Sequence, residues 1–212
     1  GTEYEYLMRK ADKALYLAKE KGKNRHIIYE ERLHGKLETD DMQNMAMAYA
    51  VSKEKKREAI TEMITELCIS GVNAIVKNEE RLQQIRSLFD LDGITVFSDR
   101  GSRLVCRNGN YMAEAPDGRP GFEDEKYLAL FGEDGIFVES NMLKLRSQNP
   151  AAFAVTQEQE IGAALQCLSR KEGIPYTMVN FEVFNRNRKW SDEDVTLLTL
   201  LGHCIGDLLC RF

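Results

Sequence analysis

No stretch of this sequence approaches the roughly 18 successive apolar residues of a membrane-spanning helix, so no membrane contact is expected. Cys-x-x-Cys is absent, and the cysteine count, five, is odd. That excludes a disulfide framework and a paired-thiol zinc site. It predicts reduced thiols in a cytoplasmic protein, with Cys68, Cys106, Cys167, Cys204 and Cys210 serving as small buried hydrophobes. The three histidines, His26, His34 and His203, do not stand at ligand spacing with cysteines or carboxylates, so no metal site is expected. Gly-x-Ser-x-Gly, Walker and Gly-x-Gly-x-x-Gly patterns are missing, as are internal repeats and a secretory leader. Positive charge is in short supply: the formal net charge is -5 and the pI about 5.4. A nucleic-acid partner, which needs clustered Lys and Arg, is therefore not expected. The first residues are Gly1-Thr2, without Met, and the chain is expected to be a segment of a longer polypeptide.

What is present is a chain of 212 residues, 43% hydrophobic and 30% charged, enough for one medium domain with appendages or for two small ones. Charge is uneven. Through Lys36 there are nine Lys/Arg against six Asp/Glu, about +3, which leaves about -8 for the remainder. Tyr4 to Gly22 carries Leu7, Ala11, Ala14, Leu15 and Ala18 at helical spacing, with Gly22 as the stop. His26 to Tyr29 reads as a short strand, and Glu30 to Val51 as a partly helical, Met-rich connector. Lys53 to Leu67 and Glu79 to Leu88 read as helices. Ile94 to Phe97 and Leu104 to Cys106 read as strands, and Asn108-Gly109 as a hairpin turn back to Tyr111–Ala113. Beyond a Pro/Gly-rich loop at Ala115–Gly121, the pattern predicts a short helix at Glu123–Phe131 and a strand at Gly135–Val138. A helix is predicted over Gln157–Arg170 and a strand over Tyr176–Phe184. A last helix is capped by Ser191, with Asp194 three residues on. It has two apolar faces, one with Val195, Leu198, Leu201, Ile205 and Leu208, the other with Leu197, Leu200 and Cys204. This order predicts an α+β domain with a central antiparallel sheet.

Residues 7 to 29 include Ala11, Asp12, Ala14, Leu15, Tyr16, Ala18, Lys19, Gly22 and Asn24. They closely resemble the C-terminal end of GGDEF diguanylate cyclase domains, whose pattern is A-D-x-A-L-Y-x-A-K-x-x-G-R-N. Lys23 replaces the usual Arg. The resemblance implies that Lys19 and Lys23 stand where the family contacts the GTP triphosphate. Lys23 keeps the charge without the bidentate fork. The signature hairpin, the upstream metal-binding Asp and the inhibitory motif are missing. This chain alone is therefore expected to have no catalytic residues and no cofactor, with GTP and Mg belonging only to an intact cyclase domain.

From about residue 55 to 212, the element order and one local motif resemble a GAF domain. Asn185-Arg186 stands for the family's Asn-Lys, Trp190 for its Phe and Asp194 for its Asp, while Val195 replaces the Glu. The resemblance implies a structural ion pair between Arg186 and Asp194. The resulting expectation is residues 1–31 as a helix–strand remnant of a GGDEF domain, 32–54 as a connector and 55–212 as a GAF-like sensory domain. The expected role is regulation of a cyclic-di-GMP signalling protein, through an unidentified small-molecule ligand or through dimerisation, with a homodimer as the expected assembly. A fragment of an active cyclase and a ligand-free dimerisation scaffold are the alternatives. Minor candidates are haem ligation by His203, a cavity-facing Cys106, an acidic neighbourhood at Asp90, Asp92 and Asp99, and an anion site at Lys144 and Arg146.

Overall fold

Between Thr39 and Ser70 the sequence has neither glycine nor proline and is rich in Ala, Met, Glu and Lys, which favours helix throughout. In the computed structural model this stretch is a single helix of 32 residues, longer at its start than the apolar stripe predicts. The structure describes residues 3–20, 26–34, 39–71, 79–98, 101–107, 110–112 and 124–210. The chain divides into two compact units, Gly1–Glu54 and Lys55–Phe212, the division falling inside that helix.

The first unit holds α1 (Glu3–Glu20), α2 (Glu31–His34) and the start of α3 (Thr39–Ser70). The strand expected at His26–Tyr29 is not formed; residues 26–30 take no regular structure. A strand needs a neighbour to pair its backbone groups, and no described residue of this unit offers one. Tyr29 is buried instead, its ring 5.9 Å from that of His34. The apolar stripe of α1 is covered only in part: Ala18 is buried, but Leu7 and Leu15 are more than half exposed.

In the second unit α3 ends at Gly71, whose φ of +63° only glycine adopts without strain, and whose N–H donates to the Leu67 carbonyl. Helix α4 (Glu79–Leu88) turns its Leu82 and Ile85 inward. Six strands follow in a mixed order along the chain: β1 (Gly93–Ser98), β2 (Gly101–Arg107), β3 (Asn110–Met112), β4 (Ile136–Glu139), β5 (Ile161–Lys171) and β6 (Ile174–Phe184). They form one sheet in the order β3-β2-β1-β6-β5-β4, with every neighbouring pair antiparallel. The turn at Asn108-Gly109 and the loop at Ala115–Gly121 lie outside the described residues.

The helix expected over Gln157–Arg170 is a correction. Helix α7 (Pro150–Glu158) stops early, and Ile161–Lys171 is strand β5. Ala163, Leu165 and Cys167 of β5 face one layer while Ala164 and Leu168 face the other, so the strand is buried on both sides. A strand of that kind loses its period-two signature and imitates a buried helix.

On one face of the sheet α3, α4 and α8 (Asp192–Cys210) pack against Ile94, Leu165, Val179 and Phe181. Helix α8 sits close to β5. A Cβ added at Gly202 would lie 2.5 Å from Cys167 Sγ, and one at Gly206 would lie 2.2 Å from Ser169 Oγ. The opposite face is covered by short pieces: α5 (Glu125–Leu128), a 3-10 turn (Met142–Lys144), α6 (Leu145–Gln148) and α7. Asp124 caps α5, accepting from the N–H groups of Lys126 and Tyr127, and Asn149 Nδ2 donates to it at 3.3 Å. Asn149 also caps α7 through Ala152 N–H, so one buried amide joins three of the covering pieces.

Candidate functional site

Along β6, alternate residues point to opposite layers. Val179, Phe181 and Val183 enter the helix-side core, so Met178, Asn180 and Glu182 face the covering pieces. Register then builds three rows across the centre of the sheet. Phe97, Met178 and Leu168 form an apolar row. Thr95, Asn180 and Gln166 form a polar one. Glu182 stands between Gly93 and Ala164, two of the smallest residues available.

All four polar side chains of this floor, Thr95, Gln166, Asn180 and Glu182, are at most 3% exposed. Thr95 Oγ1 donates to Glu182 Oε2 at 3.1 Å. Tyr127, from covering helix α5, donates its hydroxyl to Gln166 Oε1 at 2.6 Å. Asn180 Oδ1 is buried with no hydrogen-bond partner. An unsatisfied buried acceptor costs about 1–3 kcal/mol, so a structural core would be better served by an apolar side chain there. Burial pushes the Tyr127 phenol above the usual tyrosine range, and the charges of Glu182 and Asp124 push it further. It therefore remains a protonated donor.

Sequence reasoning missed this floor. In Tyr176–Phe184 the alternation predicts a strand, but alternation alone does not tell whether Asn180 and Glu182 face water or a covered layer. The available signal was an acid and an amide on a strand whose flanking residues are all apolar.

Of the residues singled out from sequence, Lys19 lies in the last turn of α1, and Lys23 lies outside the described residues, as does Asp99. The Arg186–Asp194 pair is not the one formed. Arg186 Nη1 donates to Asp90 Oδ2 at 3.3 Å and Nη2 to the Asp90 carbonyl at 2.9 Å, with Asp92 Oδ2 at 3.5 Å. Asp194 takes Arg188 Nη2 at 2.9 Å and Lys56 Nζ at 2.6 Å. Asn185, at a φ of 53°, bends the chain out of β6 so that Arg186 meets the turn before β1 and Arg188 meets the first turn of α8. Burial alone would raise the Asp194 carboxyl, but Lys56 and Arg188 outweigh it and hold the group below the usual carboxylate range. Ser191 caps α8 as expected, its Oγ accepting from Asp194 N–H at 3.1 Å. Trp190 Nε1 donates to the Glu139 carbonyl at 3.2 Å, which ties this corner to the end of β4.

His203 is half-buried beside Gly135. Lys144 pairs with Glu139 at 3.0 Å, and Arg146 is exposed on α6. Among the described residues no group of three His, Cys, Asp or Glu is placed to hold a metal, and no helix is long and apolar enough to cross a membrane.

Cys106 does not face the covered side. It sits with Cys167 in the helix-side core. Cys68 lies in α3, and Cys204 and Cys210 in α8. Burial pushes the Cys167 thiol up to about 12. Since the thiolate is the reactive form, native protein treated with maleimide should be labelled at exposed Cys68, whereas Cys106 and Cys167 should react only after unfolding. Peptide mapping by mass spectrometry checks this; native Cys167 reacting as fast as Cys68 would contradict it.

No protein-family model matches the chain, and no curated protein matches it. Solved structures do. The far-red-absorbing dark state of JSC1_58120g3 with bound biliverdin IXa matches at a TM-score of 0.55 and 14% identity, over 72% of this chain and 98% of that one. The fold is GAF-like. The photosensory core module of the Stigmatella aurantiaca phytochrome gives the same TM-score at 13% identity, over 74% of this chain and 36% of that one. The chromophore-binding domain of the bacteriophytochrome RpBphP3 from R. palustris gives 0.52 at 13% identity, over 74% and 59%. At such identities the GAF-like likeness concerns architecture, and the side chains of the floor must be judged on their own chemistry.

Proposed function

We propose that Lys55–Phe212 is a sensory module that receives a small molecule on the covered face of its sheet, and that it serves a cyclic-di-GMP signalling protein. The observation that carries the ligand-binding part is Asn180. Its carbonyl oxygen is buried without a partner, in a polar row at the centre of the sheet, beneath covering pieces as short as four residues. The signalling part rests on the cyclase-like run at residues 7–29, with Lys19 and Lys23 as its phosphate-facing positions in an intact cyclase domain. There GTP and Mg would be bound; here the chain regulates and does not catalyse. A homodimer belongs to the same proposal, supported by Leu200, which stands 55% exposed on α8.

Biliverdin, bound by the first of the structural neighbours, suits this floor poorly as a covalent ligand. Attachment needs a thiol on the covered face, and each of the five cysteines lies on a helix or points to the helix side. A small, reversibly bound metabolite fits better.

The test is a melting-temperature screen of the purified chain against a metabolite library. A ligand that binds only the folded state at about 100 times its Kd adds about 2.7 kcal/mol. At least one metabolite is expected to raise the melting temperature in a saturable way, with binding confirmed by calorimetry. A library without any binder, together with GTP turnover by the chain alone, would overturn the reading.

A further inference from the structure

Resting on that sensory reading, we infer that Lys56 is a positioning residue that couples the pieces covering the sheet to helix α3. The helix passes from one compact unit into the other between Glu54 and Lys55. Its described side chains from Met47 to Ser52 are exposed, whereas Ala59, Ile60, Met63 and Leu67 are buried. Lys56 stands where that change occurs. Its Nζ donates to Asp194 Oδ1 at 2.6 Å and lies 4.9 Å from the centre of the Phe89 ring.

Asp194 shares its charge with a second cation. Arg188 Nη2 donates to the other carboxylate oxygen, Oδ2, at 2.9 Å. Arg188 Nη1 donates to the carbonyls of Phe89 and Asp90, and the guanidinium lies 4.2 Å from the centre of the Trp190 ring. The place of Arg188 is set in turn by the end of β4. Its backbone N–H donates to the Ser140 carbonyl at 3.0 Å, and Trp190 Nε1 donates to the Glu139 carbonyl at 3.2 Å. The next residue, Asn141, donates its N–H to Glu139 Oε1 at 2.9 Å. It caps the 3-10 turn by accepting from Leu143 N–H at 3.0 Å. Hydrogen bonds and one short piece of chain thus run from the start of the covering pieces to α3. The member of this run that can switch is Lys56. Arg188 is mostly buried and forked over three acceptors, whereas Lys56 has a flexible stem and partial access to water. A guest that displaces the covering pieces shifts Ser140 and Glu139, and Arg188 with them. The charge balance at Asp194 changes, and with it the grip of Asp194 on α3.

The experiment uses the whole chain without ligand, as wild type, Lys56→Met, Trp190→Phe and Arg57→Met, each checked for native circular dichroism. Amide hydrogen exchange is read by mass spectrometry, with strand β5 as the reference for global opening. Lys56→Met keeps an apolar stem and leaves Asp194 paired with Arg188. Relative to β5, exchange in residues 141–158, separated from Lys56 by Asp194 and Arg188, is expected to rise at least about twofold. Trp190→Phe, which removes the bond to Glu139, should speed exchange in residues 47–58 by a similar factor, because coupling is reciprocal. Asn141→Ala, which uncaps the 3-10 turn, replaces it if Trp190→Phe does not fold. Arg57→Met, which removes a surface pair with Glu193, should move neither segment. A residue that merely anchors the helix would speed exchange in 47–58 of Lys56→Met with 141–158 unchanged, and that result would overturn the inference. So would Trp190→Phe or its substitute leaving 47–58 unchanged. Reciprocal changes in a chain that binds no member of the metabolite library would support the coupling and overturn the sensory reading alone.

Discussion

Asp194→Ala should cost the fold about 3 kcal/mol, at the lower end of what breaking a buried ion pair costs. The side chain is 9% exposed and holds two cations at once, Arg188 at 10% and Lys56 at 19% exposure. Removing it leaves both charges in a setting from which only Lys56 can swing towards water. A surface pair such as Arg57–Glu193, with Arg57 54% exposed, should by contrast contribute well under 1 kcal/mol. Urea denaturation measures the difference: the midpoint should fall for Asp194→Ala with the slope unchanged, and barely move for Glu193→Ala. The effect should also depend on pH with a defined sign. The folded carboxyl titrates below its unfolded value of about 3.9, so the unfolded chain binds the proton more readily. The stabilisation is therefore fully present above about pH 4. It disappears as the pH falls through the lower folded value. Wild type and Asp194→Ala should differ most near neutrality and converge in acid; a gap that stays constant down to pH 2 would refute the pairing.

Gly202→Val is expected to cost about 3 kcal/mol or more, the upper range for overpacking. Glycine in a helix interior is ordinarily a weakness, and replacing it with alanine recovers about 1 kcal/mol. Here close approach decides the sign. The new Cβ would lie 2.5 Å from Cys167 Sγ and 2.8 Å from Cys167 Cβ, and the latter moves only with the strand. Helix α8 would have to lift off β5, opening the layer that buries Leu198, Leu201 and Ile205. Gly202→Ala, a smaller insult, allows a double-mutant cycle with Cys167→Ala. Removing Sγ should recover part of the loss, giving a coupling of about 1 kcal/mol. Additive effects would mean that the helix and strand do not meet where the structure places them.

Much of the architecture was legible from residue patterns. Glu79–Leu88 is the helix its spacing predicts, and Ile94–Phe97, Leu104–Cys106 and Tyr176–Phe184 are strands. What misled was burial on two sides. Ile161, Ala164, Leu165 and Leu168 have helical spacing, yet they belong to a strand whose two faces both meet packed layers. Better evidence lay just beyond, where Glu172-Gly173, at φ values of 53° and 83°, joins β5 to β6 in a two-residue turn. The site was harder to see. Asn180 and Glu182 alternate with apolar residues as solvent-facing positions do, and only the pieces from Asp124 to Glu158 make them interior. At the corner after β6 the motif predicted the right kind of bond and the wrong partner, because one bend at Asn185 moves the pairing from Arg186 to Arg188. The expected strand at residues 26–29 shows the limit of any local pattern, since pairing partners are not encoded in four residues.

The strand order has a consequence for how the polar floor comes into being. Residues 93–112 supply one edge-to-centre run of three strands, and residues 136–184 supply the other three. The two runs touch along a single seam, β1 against β6. Thr95 stands on one bank of that seam; Asn180, Glu182 and Gln166 stand on the other. Neither half owns the polar row by itself. The row exists only when stretches some eighty residues apart in the chain have zipped together, and under the proposed sensory reading a guest lying across the join would act as its clasp.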